Sequence, residues 1–273
     1  MFPAPFDYVR AGSIDEALSL IGEHGEDAKF LAGGHSLLPL MKLRLAQPSV
    51  LVDVGRLKDL SFIREAGDQI AIGALTRHRD LETSALLQKN VAILAHAAGR
   101  VGDPQVRHRG TIGGSIAHSD PASDLPAVVL ALGGSLVARS KRGERVIAAG
   151  DFFTGFLESA LAPDELLTEI RVPKVPGAGW SFQKFTRRAQ DWAIVGVAAV
   201  RNGHTGVALV NMASTPVYAK SVVDALSGGA SASDAAQHAV DDADPQADLN
   251  ASVEYRTHLA KVLVRRALEE AGA

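Results

Sequence analysis

The chain has 273 residues, 47% of them hydrophobic, and sets 28 Lys and Arg against 31 Asp and Glu for a formal net charge of −3. That length accommodates two or three domains with a sizeable core, and the near-neutral balance removes nucleic acid and acidic membrane surfaces as expected partners. The chain contains no cysteine, which excludes disulfides, a thiolate nucleophile and an iron–sulfur cluster ligated by this chain.

At the N-terminus, Met1-Phe2-Pro3-Ala4-Pro5 has no basic region followed by an apolar core. No apolar run reaches the ~20 residues needed to span a bilayer, so no transmembrane segment and a cytoplasmic location are expected. Ser13-Ile14-Asp15-Glu16 has the form of a capping box, with Ile14, Ala17, Leu18 and Ile21 at helical spacing up to Gly25. The apolar Phe30-Leu31-Ala32 reads as a strand that runs into Ala32-Gly33-Gly34-His35-Ser36. Leu37 to Leu45 reads as a helix and Val50 to Val54 as a second buried strand. Residues 1 to about 55 therefore form a small α/β subdomain that presents a glycine loop at a strand end, where open α/β sheets place ligands.

A second subdomain begins with the strand Gln69–Ala74, a helix capped by Thr76, and an alanine-rich helix from Val91 to Val101. Arg107, His108 and Arg109 follow, either facing an anion or forming a solvated basic turn. Directly after them comes Gly110-Thr111-Ile112-Gly113-Gly114-Ser115. Glycines there let a ligand approach the backbone and permit positive φ, and Thr111 and Ser115 add hydroxyls beside exposed amides, a combination suited to a diphosphate. Asp124 supplies a carboxylate for ribose hydroxyls, on a loop stiffened by Pro121 and Pro126. A lone Gly-Gly pair is more often a simple turn, but two such loops can grip one dinucleotide from both sides. His35 and His118 lie in these loops and either donate to the ligand or face solvent. Of the other histidines, His24, His78, His96 and His108 are scattered without metal-ligand spacing, so no protein-bound metal is expected.

Beyond this point Ala127–Leu132 is apolar, and Ser135–Ala138 and Val146–Ala148 flank the turn Lys141-Arg142-Gly143-Glu144 as a hairpin. Leu166–Val172 is a strand ended by Pro173, and Val172–Gly179 is the best linker in the chain. Strands at Ala193–Arg201 and Thr205–Met212 follow, joined by the hairpin signal Asn202-Gly203-His204. Helices are expected at Val217–Leu226, Ser233–Val240 and Val253–Leu268, the last packing through Leu259, Val262, Leu263 and Arg266.

The two glycine loops, together with Phe6-Asp7-Tyr8, Leu37-Leu38-Pro39, Asp103-Pro104-Gln105-Val106-Arg107, Lys184-Phe185-Thr186-Arg187-Arg188, Asp191-Trp192-Ala193 and Glu254-Tyr255-Arg256, carry a resemblance that runs essentially end to end. The chain resembles the flavin-carrying medium subunits of the molybdenum hydroxylases, a family that includes aerobic carbon monoxide dehydrogenase, nicotine and quinoline dehydrogenases and the flavin domain of xanthine dehydrogenase. The resemblance implies an α+β fold. A two-subdomain FAD-binding domain of the PCMH/vanillyl-alcohol-oxidase type would occupy residues 1–176, divided near residue 55. A small C-terminal domain of antiparallel sheet plus helices would occupy residues 177–273.

It further implies noncovalent FAD between the subdomains, bound by Leu31, Ala32, Gly33, Gly34, His35, Ser36 and Leu37 and by Gly110, Thr111, Ile112, Gly113, Gly114 and Ser115. Asp124 would hold the adenosine ribose, Leu167 would contact the cofactor, and Lys184 would sit near the N1–C2 carbonyl end of the flavin ring. Trp192 would cover one ring face, its alternative being a core or interface tryptophan. Relatives often carry asparagine where this chain has Ser115, whose hydroxyl keeps a donor. The implied partners are a large molybdopterin-carrying subunit and a small subunit with [2Fe–2S] clusters, arranged as a dimer of heterotrimers. No residue here supplies catalysis on a substrate, so the implied activity is electron transfer through FAD to an external acceptor. The rival readings are a stand-alone flavin oxidase or dehydrogenase acting directly on a small molecule, and a flavin-free scaffold subunit.

Overall fold

The computed structural model describes residues 2–202 and 204–272. Local chemistry sets the first helix, Ile14–His24. The Ser13 hydroxyl accepts from the Glu16 N–H at 3.1 Å, and the Glu16 carboxylate reaches back to the Gly12 N–H at 2.7 Å. Its Ala17, Leu18 and Ile21 are buried in the core of the N-terminal layer. The sheet of that layer has three parallel strands in the order Asp7–Arg10, Val50–Asp53, Ala28–Leu31. The first of these is absent from the sequence reading because it carries no apolar run: its side chains are exposed or only half-buried. The helix after the glycine loop stops at Lys42, short of Leu45, and Arg44 follows in the left-handed region at φ 59°.

The middle layer is an antiparallel five-stranded sheet in the order Ile63–Ala66, Gln69–Gly73, Leu166–Pro173, Ser135–Ser140, Gly143–Ala148. The expected hairpin around Lys141-Arg142-Gly143-Glu144 forms its edge. Helices Ala92–Arg100 and Asp124–Ala131 contribute to the same core as Ile70, Ile72, Leu136 and Ile170. Thr76 does not cap a helix. Its buried hydroxyl bridges the Phe62 backbone, accepting from the N–H at 3.2 Å and donating to the carbonyl at 3.0 Å, and the helix begins at His78.

The third layer is a four-stranded sheet, Gly179–Phe185, Val195–Asn202, His204–Val210 and Val217–Tyr218 in that order. The middle pair is antiparallel as the Asn202-Gly203-His204 signal predicts, although Gly203 lies outside the described residues. Alternation with period two buries both faces. Val197, Ala199, Val207 and Leu209 share a core with the helix Val253–Glu270, whereas Ala198, Val200, Ala208 and Val210 join the core of the middle layer. The proline-rich Val172–Gly179 stretch is therefore pinned and not loose: Lys174 donates to the Asp68 carbonyl and Val175 to that of Asn90, each at 2.8 Å.

Three helix expectations change here. Val217–Tyr218 is a strand and its helix spans Lys220–Ser227. The 233–240 segment is a short helix, Ala232–Ala235, continued by a 3₁₀ turn at Ala236–His238. On the last helix Arg266 is exposed and Val262 only half-buried, while Arg256 is buried because its guanidinium donates to the carbonyls of Ile194 and Asn211 and pairs with Asp248 at 2.8 Å. Among the described residues no helix is long and apolar enough to cross a membrane.

Candidate functional site

The three layers meet around a cavity of about 1000 Å³, the upper end of the ~300–1,000 Å³ span of ligand clefts. Leu31 through Leu37, Gly110, Thr111, Gly113, Gly114, Ser115, Asp124, Leu167, Lys184 and Trp192 all line it. Ile112 does not: its side chain is fully buried in the middle core.

The first glycine loop behaves as the sequence predicts. Gly34 takes φ +77°, in the left-handed region, and Gly33 passes so close to the second segment that a Cβ would lie 2.9 Å from the Gly110 Cα. Among the described residues the N–H groups of Gly33, Gly34, His35 and Ser36 find no acceptor in the protein. Consecutive unpaired amides make a concave anion-binding backbone.

The second segment differs. Residues Ile112–His118 form a short helix capped by the Thr111 hydroxyl, and neither Gly113 nor Gly114 has positive φ. Its amides are already spent: Ile112 donates to Thr76 O at 3.0 Å and Gly113 to Ala74 O at 2.9 Å. Gly114 donates to Thr111 Oγ1 at 3.1 Å and Ser115 to Thr111 O at 3.0 Å. The expectation of exposed amides there is corrected. This segment presents hydroxyls instead: Thr111 keeps its own proton to donate, and Ser115 Oγ lies 2.7 Å from Ser123 Oγ. Nor do the basic residues before it face the cavity. Arg107 binds Glu82 at 3.1 Å and the Val101 carbonyl at 2.7 Å, and His108 and Arg109 are exposed outside the lining.

Asp124 opens the helix Asp124–Ala131, so Pro126 stiffens a first helical turn and not a loop. Lys184 reaches it from the third sheet, Nζ donating to Asp124 Oδ2 at 2.7 Å and to the Arg100 carbonyl at 3.2 Å. The two side chains are 5% and 4% exposed. Burial pushes the Asp124 carboxyl up to about 6, with Lys184 pulling the other way. The resemblance assigns Asp124 to the adenosine ribose and Lys184 to the flavin ring, and the structure brings these two side chains into direct contact. Among the described residues the buried Asp124 Oδ1 finds no partner.

Trp192 is no core residue: it is 59% exposed at the cavity wall. Its segment is tied to the Asp124 side through Asn211, whose Nδ2 donates to Ala193 O at 2.7 Å while its N–H donates to Pro121 O at 2.8 Å. His35 and His118 both line the cavity, and burial lowers both imidazoles below their ordinary range. Among the lining residues that sequence reasoning did not assign to the site is His78. It is 4% exposed, and among the described residues its Nδ1 has no partner. Burial, followed by coupling to the His35 imidazole and by the positive charges of Arg77 and Arg107, pushes it down to about 4, so it is neutral at pH 7. The one sequence signal was its place just beyond the strand Gln69–Gly73, at a strand end facing the loops.

Residues 4–175 match the family described as the FAD binding domain in molybdopterin dehydrogenase, and residues 180–271 match the CO dehydrogenase flavoprotein C-terminal domain. The chain is 42% identical to the carbon monoxide dehydrogenase medium chain of Hydrogenophaga pseudoflava, over 100% of this chain and 99% of that one. It is 39% identical to the 6-hydroxypseudooxynicotine dehydrogenase complex subunit alpha of Paenarthrobacter nicotinovorans, over 99% and 96% of the two chains. Against the solved structure of the H. pseudoflava carbon monoxide dehydrogenase the TM-score is 0.96 at 42% identity, covering 99% of this chain and 98% of that chain.

Proposed function

The chain belongs to the family of FAD-binding medium subunits of the molybdenum hydroxylases, and on that premise we propose that it is the electron-transfer flavoprotein of such an enzyme. In this reading FAD held here connects [2Fe–2S] clusters on a small partner subunit with an external acceptor. The substrate is oxidised on a large molybdenum-cofactor subunit, and the whole works in the cytoplasm as a dimer of heterotrimers. Substrate choice belongs to the partner, in keeping with relatives named for reactions as different as those of carbon monoxide and of 6-hydroxypseudooxynicotine.

The observation that carries the reading is the match between unpaired groups and ligand. The cavity is large enough for a dinucleotide, the Gly33–Ser36 amides lack acceptors, and Asp124 Oδ1 and His78 Nδ1 are buried without partners. Buried polar atoms in folded proteins are nearly always bonded, so such orphans along one cavity mark places a ligand completes. Bound FAD supplies redox chemistry in one- or two-electron steps. The protein's part is positioning and electrostatics. The Gly33–Ser36 amides hold the diphosphate, with the Thr111 and Ser115 hydroxyls at its flank, and Leu31, Leu37 and Leu167 wall off water. The Asp124–Lys184 pair takes the flavin end together with Trp192, to whose segment it is tied. There Asp124 Oδ1 is free to accept an N–H or O–H. Because Lys184 is already bonded to Asp124, the ring feels a compensated pair and not a bare cation.

The test is the visible spectrum and released cofactor of the separately expressed chain, before and after adding FAD. Acid-releasable FAD that small organic substrates do not reduce on their own is the expected result. Rapid reduction by such a substrate without partners would favour a self-sufficient flavoenzyme. Absence of FAD uptake would overturn the site.

A further inference from the structure

We propose that His78 is a binding residue for the diphosphate of the dinucleotide, donating a hydrogen bond from its imidazole to a phosphate oxygen alongside the amides of the first glycine loop. The proposal rests on the reading of the cavity as an FAD site and adds to it a residue that neither glycine loop contains.

The geometry is layered. The His78 backbone N–H donates to the Gly110 carbonyl at 3.1 Å, which fixes the start of its helix against the second segment. The edge of its ring lies beneath Gly110: a Cβ there would come within 2.7 Å of His78 Cδ2 and 2.9 Å of Nε2. Gly110 in turn abuts Gly33, the first residue of the loop with unpaired amides. Imidazole, Gly110 and Gly33 thus stack toward the anion-binding backbone, and any side chain at Gly110 would push the ring away.

The chemistry narrows the partner. A neutral imidazole offers one N–H donor and one acceptor, and no hydrogen bond to the ring occurs among the described residues although Nδ1 is fully buried. A buried polar atom of that kind is expected to be bonded in the working state of the protein. The cations that act on His78 are Arg77 and Arg107, Arg107 being paired with Glu82, and Arg77 having Asp80 and Asp53 near it as well as Arg109. Both arginines disfavour a second positive charge on the buried ring, so the part of a dinucleotide favoured beside it is its anionic centre, and not the adenine or the flavin ring.

The experiment measures FAD affinity, and ADP affinity by competition, for the full flavin-free chain and for H78F and H78Q, together with the unfolding midpoint of each. Phenylalanine keeps the ring and removes the donor, and glutamine restores a donor. H78F is expected to weaken FAD and ADP alike by about tenfold to a hundredfold, the size of a lost hydrogen bond to a charged group. It should leave the midpoint unchanged or raise it, and H78Q should recover most of the affinity. H78F with wild-type affinity for FAD overturns the proposal, as does a loss for FAD with none for ADP, which would place His78 elsewhere on the cofactor. If H78F does not fold, H78L takes its place: a tenfold or larger loss of ADP affinity that H78Q recovers supports the donor role, and wild-type ADP affinity in H78L refutes it. A wild-type chain that takes up neither ligand refutes the cofactor assignment itself, before His78 is in question.

Discussion

Lys184→Met is the sharpest probe of how the layers are held together. Lys184 and Asp124 are 60 residues apart in sequence, are 4% and 5% exposed, and are bonded at 2.7 Å. At that separation and an effective dielectric of ~20 the Coulomb attraction is about 6 kcal/mol, which offsets the desolvation of both groups. Removing the ammonium leaves a buried carboxylate whose Oδ1 already lacks a partner. The expected loss at pH 7 is about 3–5 kcal/mol, or roughly 6–20 °C in unfolding midpoint for a chain of this size. Burial already holds the Asp124 carboxyl up at about 6, and without Lys184 it rises further. A carboxyl whose folded pKa lies above its unfolded value of ~3.9 contributes stability at low pH that is lost as pH rises through the folded pKa. The K184M penalty should therefore be smaller at pH 5 than at pH 7. Replacing both partners by apolar residues, as in D124L/K184M, should restore most of the loss. Calorimetry or urea unfolding of the flavin-free chain at the two pH values gives the result. A K184M loss below about 1 kcal/mol at pH 7, the size of an exposed pair, or a loss that does not shrink at pH 5, would refute the reasoning.

Three further perturbations separate the site from the scaffold. Gly33→Ala sets a Cβ against the backbone of Arg109 and Gly110; titration should show FAD affinity reduced at least about tenfold with a stability loss of about 1–3 kcal/mol. The control Gly22→Ala, in the Ile14–His24 helix with nothing within 4 Å of the new methyl, should gain about 0.5–1 kcal/mol and leave FAD binding alone. Arg256→Ala strips the donors from the Ile194 and Asn211 carbonyls and the partner from Asp248; urea unfolding should register a loss of about 3–5 kcal/mol, and a loss under 1 would show that water replaces the guanidinium. Ser13→Ala, which removes the hydroxyl that accepts from Glu16, should cost about 1 kcal/mol by thermal unfolding and leave flavin uptake unchanged.

The sequence by itself determined what short-range chemistry controls. The Ser13-Ile14-Asp15-Glu16 cap, the stop at Gly25, the hairpin around Lys141-Arg142-Gly143-Glu144 and the alternating strands Val195–Asn202 and His204–Val210 all form as composition and period dictate, because their partners lie within a few residues or on a regular face. The first glycine loop was legible for the same reason, since a strand that ends on Gly33-Gly34 has to turn there. Tertiary structure alone decided how the remaining polar groups are used. The second glycine pair looks like the first in sequence, but long-range acceptors at Ala74 and Thr76 consume two of its amides and a capped helical turn consumes the next two. The same packing places Ile112 in the core, draws Asp124 onto Lys184, encloses His78 without a partner and buries Arg256 beneath the carbonyls of Ile194 and Asn211. The Ala74, Thr76, Lys184, Ile194 and Asn211 contacts each join residues tens of positions apart, and local spacing does not encode which donor meets which acceptor once the layers close.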